Sequence, residues 1–436
     1  SVASGLTHRI RRMAGRDPGE GHRASTSLEL LFDLTFAIAF GQAGASVAHL
    51  VVDAQWGAAA VGFAFSMFAI CWAWINFTWF ASAYDTDDWA MRLATMLQMV
   101  GVLILATGIP TMFHSLVEPQ HEFGAGVMVF GYVVMRVAMV IHWLRALRDD
   151  PARRRTIMQY IVTIVVAQVG WCAMIVVHPS IRTAILVSIP LAAIELLGPW
   201  RAERVGGTPW HAGHIAERYS LLAIITLGEC LIGTIASLGA QVDEAGWSFT
   251  AMGPAVAGTA ITFGLWWIYS MLPSAELLER DRSTSFLWGY GHIPLFASIA
   301  ATGAGLHVVA SSIEGDAHIS PMLAVACVVG PVFVFGHTLG MLYHRMVGPD
   351  SFHSRLHVVT TLLYAGALAL AYAGVSVVLC LFVVVAALVI LVVGDEWVGA
   401  HHRAAALALP GAGAGTGAGT GSGNGRGNGR GPASAR

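Results

Sequence analysis

Ionisable and amide side chains stand inside long apolar runs of this sequence, and its chemistry is to be sought there. Glu29, Asp33 and Gln42 fall in the first such run, Arg136 in the fourth, Glu195 in the sixth and Glu229 in the seventh. A charge at the centre of a bilayer costs about 2.5–3.5 kcal/mol on insertion scales, so those retained face a bundle interior or water. Three of them sit near mid-depth by residue count: Gln42, Arg136 and Glu229. Arg136 is expected to pair with Glu229, because a two-pronged guanidinium–carboxylate contact would satisfy both charges. Such a pair could carry an ion or solute pathway, or it could only specify packing. An unpaired Glu229 would instead be suited to carrying a proton.

A second polar group lies nearer one face and comprises Glu29, Asp33, Glu195, His214, Glu217 and Arg218. Glu29 and Asp33, four residues apart, share a helix face. Glu29 fits a first-turn position that complements the helix dipole, and Asp33, a turn deeper, calls for a buried partner. Gln42 lies about half a turn round the helix from Asp33 at 3.6 residues per turn, so one pore-lining face cannot hold both. The spacing His211-x-x-His214-x-x-Glu217 lacks a defined third and fourth ligand for a metal. His292, His307, His337 and His344 lie in two further apolar runs; His292 and His337 are carried forward as possible cavity residues. There is no nucleotide loop, no ordered Ser/His/Asp set and no carboxylate-rich cleft, so no catalytic residue, metal or cofactor is assigned.

These groups need long helices to position them. The chain has 436 residues, 56% hydrophobic and 11% charged, with a mean hydropathy of +0.66, where soluble domains carry about 25% charged residues. An all-α, polytopic membrane bundle follows. Windows of about 20 apolar residues give twelve spans: 27–52, 57–83, 89–114, 123–147, 155–177, 181–199, 213–240, 248–273, 285–312, 319–346, 353–372 and 374–398. Alternating strand spans are excluded because the runs are continuous. The five cysteines are isolated in apolar runs and show no Cys-x-x-Cys spacing, which argues against disulfides or a thiolate site. The basic N-terminal stretch has no short apolar core with a cleavage site behind it, so the first span is expected to be the insertion signal.

Cytoplasmic loops are enriched in Lys and Arg. With the N-terminus inside, Arg9, Arg11, Arg12, Arg16, Arg23, Arg92, Arg145, Arg148, Arg153, Arg154, Arg155, Arg201, Arg204, Arg218, Arg280, Arg282, Arg345, Arg355 and Arg403 fall at cytoplasmic ends, and Arg182 alone falls outside. Both termini are therefore placed in the cytoplasm and the protein in the cell membrane. Residues 404–436 are a Gly-rich low-complexity tail with little to bury, read as disordered.

An internal similarity divides the rest. Ala37-Ile-Ala-Phe-Gly-Gln42 resembles Ile224-Ile-Thr-Leu-Gly-Glu229, and Ala106-Thr-Gly108 matches Ala301-Thr-Gly303. The division is a cytoplasmic segment 1–26, a first six-helix repeat 27–199 and a second 200–403. An even number of spans per unit makes the repeats parallel, as in several transporters whose site lies at the repeat interface.

The run Glu29-Leu-Leu-Phe-Asp-Leu-Thr-Phe-Ala-Ile-Ala resembles the signature that opens bacterial low temperature requirement A proteins. His214-Ile-Ala-Glu-Arg-Tyr-Ser-Leu-Leu-Ala-Ile-Ile-Thr-Leu-Gly-Glu229 resembles that family's second signature, and Trp266-Trp-Ile-Tyr269 and Trp288-Gly-Tyr-Gly-His292 look like further parts of it. The likeness spans roughly residues 25–400. Leu31, Gly41 and Cys230 depart from the pattern, where an aromatic, a Thr and a Ser are usual. The resemblance implies a polytopic membrane protein linked to growth in the cold, without a defined biochemical activity. Phe32-Asp-Leu-Thr-Phe-Ala-Ile-Ala is also similar to the Phe-Ser-Asp helix of six-span-repeat potassium channels, which points toward ion conduction.

The resulting expectation is a membrane protein that moves a small molecule or ion through a polar centre at Gln42, Arg136 and Glu229. Its other partner is the lipid bilayer, nucleic acid is not one, and the oligomeric state is open. Two rivals remain: an intramembrane enzyme, which needs two titratable groups about 3 Å from one reacting atom, and a scaffold or sensor with a sealed, dry centre.

Overall fold

The structure is a computed structural model that describes residues 10–21, 23–118 and 122–408. Its helices are α1 (Ser27–Val52), α2 (Trp56–Tyr84), α3 (Trp89–Ser115), α4 (Gly126–Asp149), α5 (Arg154–Val177), α6 (Ile181–Val205), α7 (Ala212–Ala245), α8 (Gly253–Ser270), α9 (Ser274–Arg280), α10 (Ser285–Glu314), α11 (Pro321–Met346), α12 (Ser351–Tyr372), α13 (Val377–Gly394) and α14 (Ala400–Ala408). Twelve stretches are long and apolar enough to span a membrane, with short α9 continuing the eighth beyond Pro273. A helix satisfies every internal backbone group without water, which is why continuous apolar runs adopt it.

The orphan amides at helix starts are met by local side chains. Thr26 and Glu29 form a reciprocal capping box on α1, Asp88 caps α3, Ser180 caps α6 and Ser320 caps α11. At the C-terminal end of α2, Arg23 donates to the carbonyls of Ser82 (2.6 Å) and Ala81 (3.1 Å). The N-terminal segment is thereby tied beneath the bundle.

Several boundaries move relative to the sequence reading. The sixth span runs on to Val205 through Pro199, and the seventh extends to Ala245. Hydropathy sees only the apolar part of such helices, while their polar ends continue beyond it. The last two spans are separate helices turned by Gly374, whose φ of +87° suits a residue without a Cβ. Residues 1–9 with Arg9, and residues 409–436 of the tail, lie outside the described residues; residues 404–408, expected to be disordered, instead form the end of α14.

Helices α1, α2, α7 and α10 form the centre. In the hydropathy window of α10, 72% of residues are buried, against 22% in α6 and in α12, so the last two present most of their surface to lipid. α1 packs on α2 and α3, α3 on α4, α4 on α5 and α5 on α6; likewise α7 packs on α8 and α10, α10 on α11, α11 on α12 and α12 on α13. The two halves meet where α1 packs against α7 and α10. The described arginines, Arg136 and Arg182 excepted, cluster at or within two turns of the bundle end that carries the N-terminal segment, here called the near face; the opposite end is the far face.

Candidate functional site

Near the near face, α1 and α7 are locked together by buried charge. Glu29, besides capping α1, faces His214 on α7, with Oε1 3.1 Å from Nε2. One turn deeper, Arg218 Nη2 donates to Asp33 Oδ1 at 2.8 Å and to Thr78 Oγ1 at 3.2 Å. Trp74 Nε1 donates to the same Asp33 oxygen at 2.7 Å. Both ionic side chains are fully buried, so the pair, the indole and the hydroxyl must compensate one another's desolvation. Glu217, less buried, accepts from the backbone N–H of Ser25 at 3.3 Å. Around this lock the centre is closed by aromatic rings: Phe32 against Phe77, and Trp74 against Tyr219 and Phe296, with centroids 4.2, 4.9 and 5.7 Å apart.

Arg136 does not meet Glu229. It donates from Nη2 to Glu195 Oε2 at 2.7 Å, and Glu195 lies at mid-depth on α6 rather than in the near-face cluster. Three more donors converge on that carboxylate: Trp72 Nε1, Tyr132 OH and Gln168 Nε2, each at 3.0 Å. The expected pairing fails on direction, because α4 packs against α2, α3 and α5, whereas α7 is turned to α1, α8 and α10. Counting along a helix gives depth and leaves azimuth open. Tyr132 and Gln168 carry no expectation from the sequence, and Trp72 only that of a belt or packing residue; a polar hydrogen at mid-depth in each neighbouring span is the available signal.

Glu229 stands half-buried in the seam of α1, α7 and α10. Among the described residues no hydrogen bond or ion pair reaches its carboxylate. Two glycines make room for it. A Cβ on Gly41 would lie 3.2 Å from Glu229 Oε1, and one on Gly303 would lie 2.6 Å from the Glu229 carbonyl carbon. At Gly303, where the contact is with backbone, only glycine allows so close an approach; at Gly41 a larger residue would need the carboxylate to shift by a few tenths of an ångström. Farther along toward the far face, the same three helices wall a cleft of about 390 Å³ lined by His49, Ala236, Asp243, His307 and Glu314 among others; Glu229 is not itself on its wall. Ala45, also on its wall, follows Gly44, whose Cβ position lies 3.8 Å from Glu229 Oε2.

The other candidates fall elsewhere. Gln42 is exposed on the outer side of α1, so Gly41 and not Gln42 faces Glu229. His292 is buried and satisfied: one ring nitrogen contacts the Trp288 carbonyl at 2.7 Å and the other the Tyr269 hydroxyl at 2.9 Å. His337 stacks on Phe333, with ring centroids 3.8 Å apart, between α11 and α12. Neither lines the far-face cleft; His307 and His49 do. Among the described residues no group of three or more His, Cys, Asp or Glu is placed to hold a metal.

The sequence pattern of the bacterial low temperature requirement A proteins matches residues 24–393 of the chain. A protein of Rhizobium meliloti (strain 1021) described only as uncharacterized is 26% identical over 324 residues, covering 70% of this chain and 73% of that protein. No solved structure matches.

Proposed function

The chain belongs to the bacterial low temperature requirement A family, and from that premise and the geometry we propose that it moves a small solute or ion across the cell membrane, with Glu229 as the binding group. The observation that carries this reading is a mid-span carboxylate with no protein partner among the described residues, standing in the same three-helix seam that opens into a cleft toward the far face. A half-buried carboxylate at mid-span without a counter-charge is costly, and a bound cation or proton would offset that cost. Toward the near face the route is shut by the aromatic layer and by the Glu29–His214 and Asp33–Arg218 contacts. This is the arrangement of a carrier open to one side.

The two halves are proposed to be parallel repeats, with Glu229 at their seam. The matching order in which helices pack in each half supports this. The arginine-rich near face is proposed to be cytoplasmic, which makes the cleft external. An acid–base enzyme is less well served, since no second titratable group contacts the Glu229 carboxylate among the described residues.

The test is ion movement in proteoliposomes holding an entrapped pH-sensitive dye, under imposed proton, potassium or sodium gradients. Unmodified protein is expected to dissipate at least one gradient, and Glu229→Gln to slow this at least tenfold while eluting as a folded species. Equal rates for the two proteins would remove Glu229 from the pathway.

A further inference from the structure

A second cavity lies in the near-face half, away from Glu229, between α2, α4, α5, α6 and α10. Its walls are largely aromatic: Trp72, Trp79, Trp143, Tyr160, Trp210 and Tyr290 all border it. The rings are held by one another. Trp143 stacks on Tyr160 with centroids 4.3 Å apart, Trp79 meets Trp210 edge-on at 4.9 Å, and Trp72 meets Tyr290 at 5.4 Å. One carboxylate, Glu203, completes the lining, and among the described residues no Arg or His borders the space.

Glu203 is fixed and has its hydrogen-bonding largely met. Oε1 accepts from Tyr160 OH and Thr208 Oγ1, both at 2.7 Å, and Oε2 accepts from the Thr208 backbone N–H at 2.9 Å. It therefore supplies negative potential more readily than free acceptor sites. Ring faces do the same, since the aromatic quadrupole attracts cations, the more so when the site is desolvated. One of these rings already holds a positive group: the Arg282 guanidinium lies 3.6 Å from the centroid of Trp210, donates to its carbonyl and offsets part of the Glu203 charge from outside the cavity wall.

A carboxylate whose oxygens are already engaged suits a cation that has no N–H to donate, and the other side-chain polar groups on the wall, Asn76 and Ser285 among them, are neutral. The size agrees. The cavity measures about 40 Å³, and on that measure a water needs about 10–15 Å³, so there is room for a few heavy atoms and not for a drug-sized molecule. We propose that this aromatic cavity binds a methylated ammonium head of the choline type, presented either by a free quaternary ammonium compound or by a lipid whose head group enters from the near-face leaflet.

The experiment uses the full chain in a maltoside detergent and reads tryptophan fluorescence during titration with choline, with its uncharged isostere 3,3-dimethylbutan-1-ol and with a short-chain phosphatidylcholine. Saturable binding of choline or of the phosphatidylcholine, at least tenfold tighter than the uncharged alcohol, is expected; which of the two binds more tightly identifies the source. Glu203→Gln is expected to weaken binding about tenfold while the alcohol is unaffected. Equal affinity for choline and the alcohol would make the space a plain apolar slot and overturn the proposal. Saturation by neither cation would overturn it as well. Both of these outcomes are read on the unmodified protein, so neither depends on a variant folding.

Discussion

At the scale of single residues, Asp33 and Arg218 show how a charge survives inside an apolar helix. The pair is fully enclosed, so its members cannot be removed one at a time without leaving the other stranded. Arg218→Ala is expected to destabilise the protein by about 3–5 kcal/mol, the usual result of orphaning one buried ion, measured as a fall in unfolding midpoint in detergent. Asp33→Asn, which keeps the shape and leaves the long cation able to reorient, is expected to be milder. An unchanged midpoint for Arg218→Ala would mean that the contact holds nothing. The polar residues themselves were legible in the sequence because charge is so rare in these spans. Their pairing was less so: a sixth span ended at 199 sets Glu195 at the near face, although the helix runs on to Val205, and equal depth suggests Arg136 for Glu229. The structure sends both to a shared centre built on Trp72, Tyr132 and Gln168, whose polar atoms are small parts of otherwise apolar side chains and leave little trace in hydropathy.

At the scale of elements, helix ends carry the pH dependence. The loop Asp85–Asp88 joins α2 to α3, outside the spans. Asp88 is largely withdrawn from solvent, but Arg145 and the backbone amides of Arg11 and Met91 bind its carboxylate, and together they lower its pKa to about 2. A depressed carboxylate stabilises the fold above its ordinary value near 4 and loses that contribution as pH falls toward 2. Asp85 has the opposite sign. Burial first, and then the Glu29 charge, raise it to about 6 against the pull of Arg23. Its penalty is present above pH 6 and is relieved as pH falls from 6 toward 4. Asp88→Asn is therefore expected to flatten the loss of stability between pH 4 and pH 2, and Asp85→Asn to raise the unfolding midpoint at pH 8 and leave it unchanged at pH 4. Midpoints measured across pH 2–8 check both; parallel shifts at all pH values would contradict the assignment. Twelve spans could be read from apolar length alone, since length and hydropathy are properties of the chain. Their ends could not, because caps such as Thr26 and Asp88, and the continuation of α6 through Pro199, depend on what the neighbouring turn provides.

At the scale of the whole molecule, the centre is asymmetric along the membrane normal. Toward the far face α1, α7 and α10 part enough to leave a cleft of about 390 Å³, and toward the near face the same α1 and α7 are clamped by Glu29–His214 and Asp33–Arg218. Small residues on the cleft side (Ala45, Ala236 and Gly239) and ion pairs on the other would let the two halves rock about Glu229, the closed end opening only when buried charges separate. Access should then differ between faces. In a Cys172→Ser, Cys327→Ser background, which removes the exposed and the partly exposed thiol, Ala45→Cys and Ala236→Cys are expected to react with a membrane-impermeant maleimide added to intact cells. Ser66→Cys, at a fully buried position, should stay unlabelled, and Thr284→Cys at the near face should react only after permeabilisation. Labelling of Ala236→Cys solely in permeabilised cells would reverse the orientation argued from arginine. Failure of both cleft positions to react under any condition would close the external route to Glu229, and a carboxylate without access from either side could not serve a moving ion.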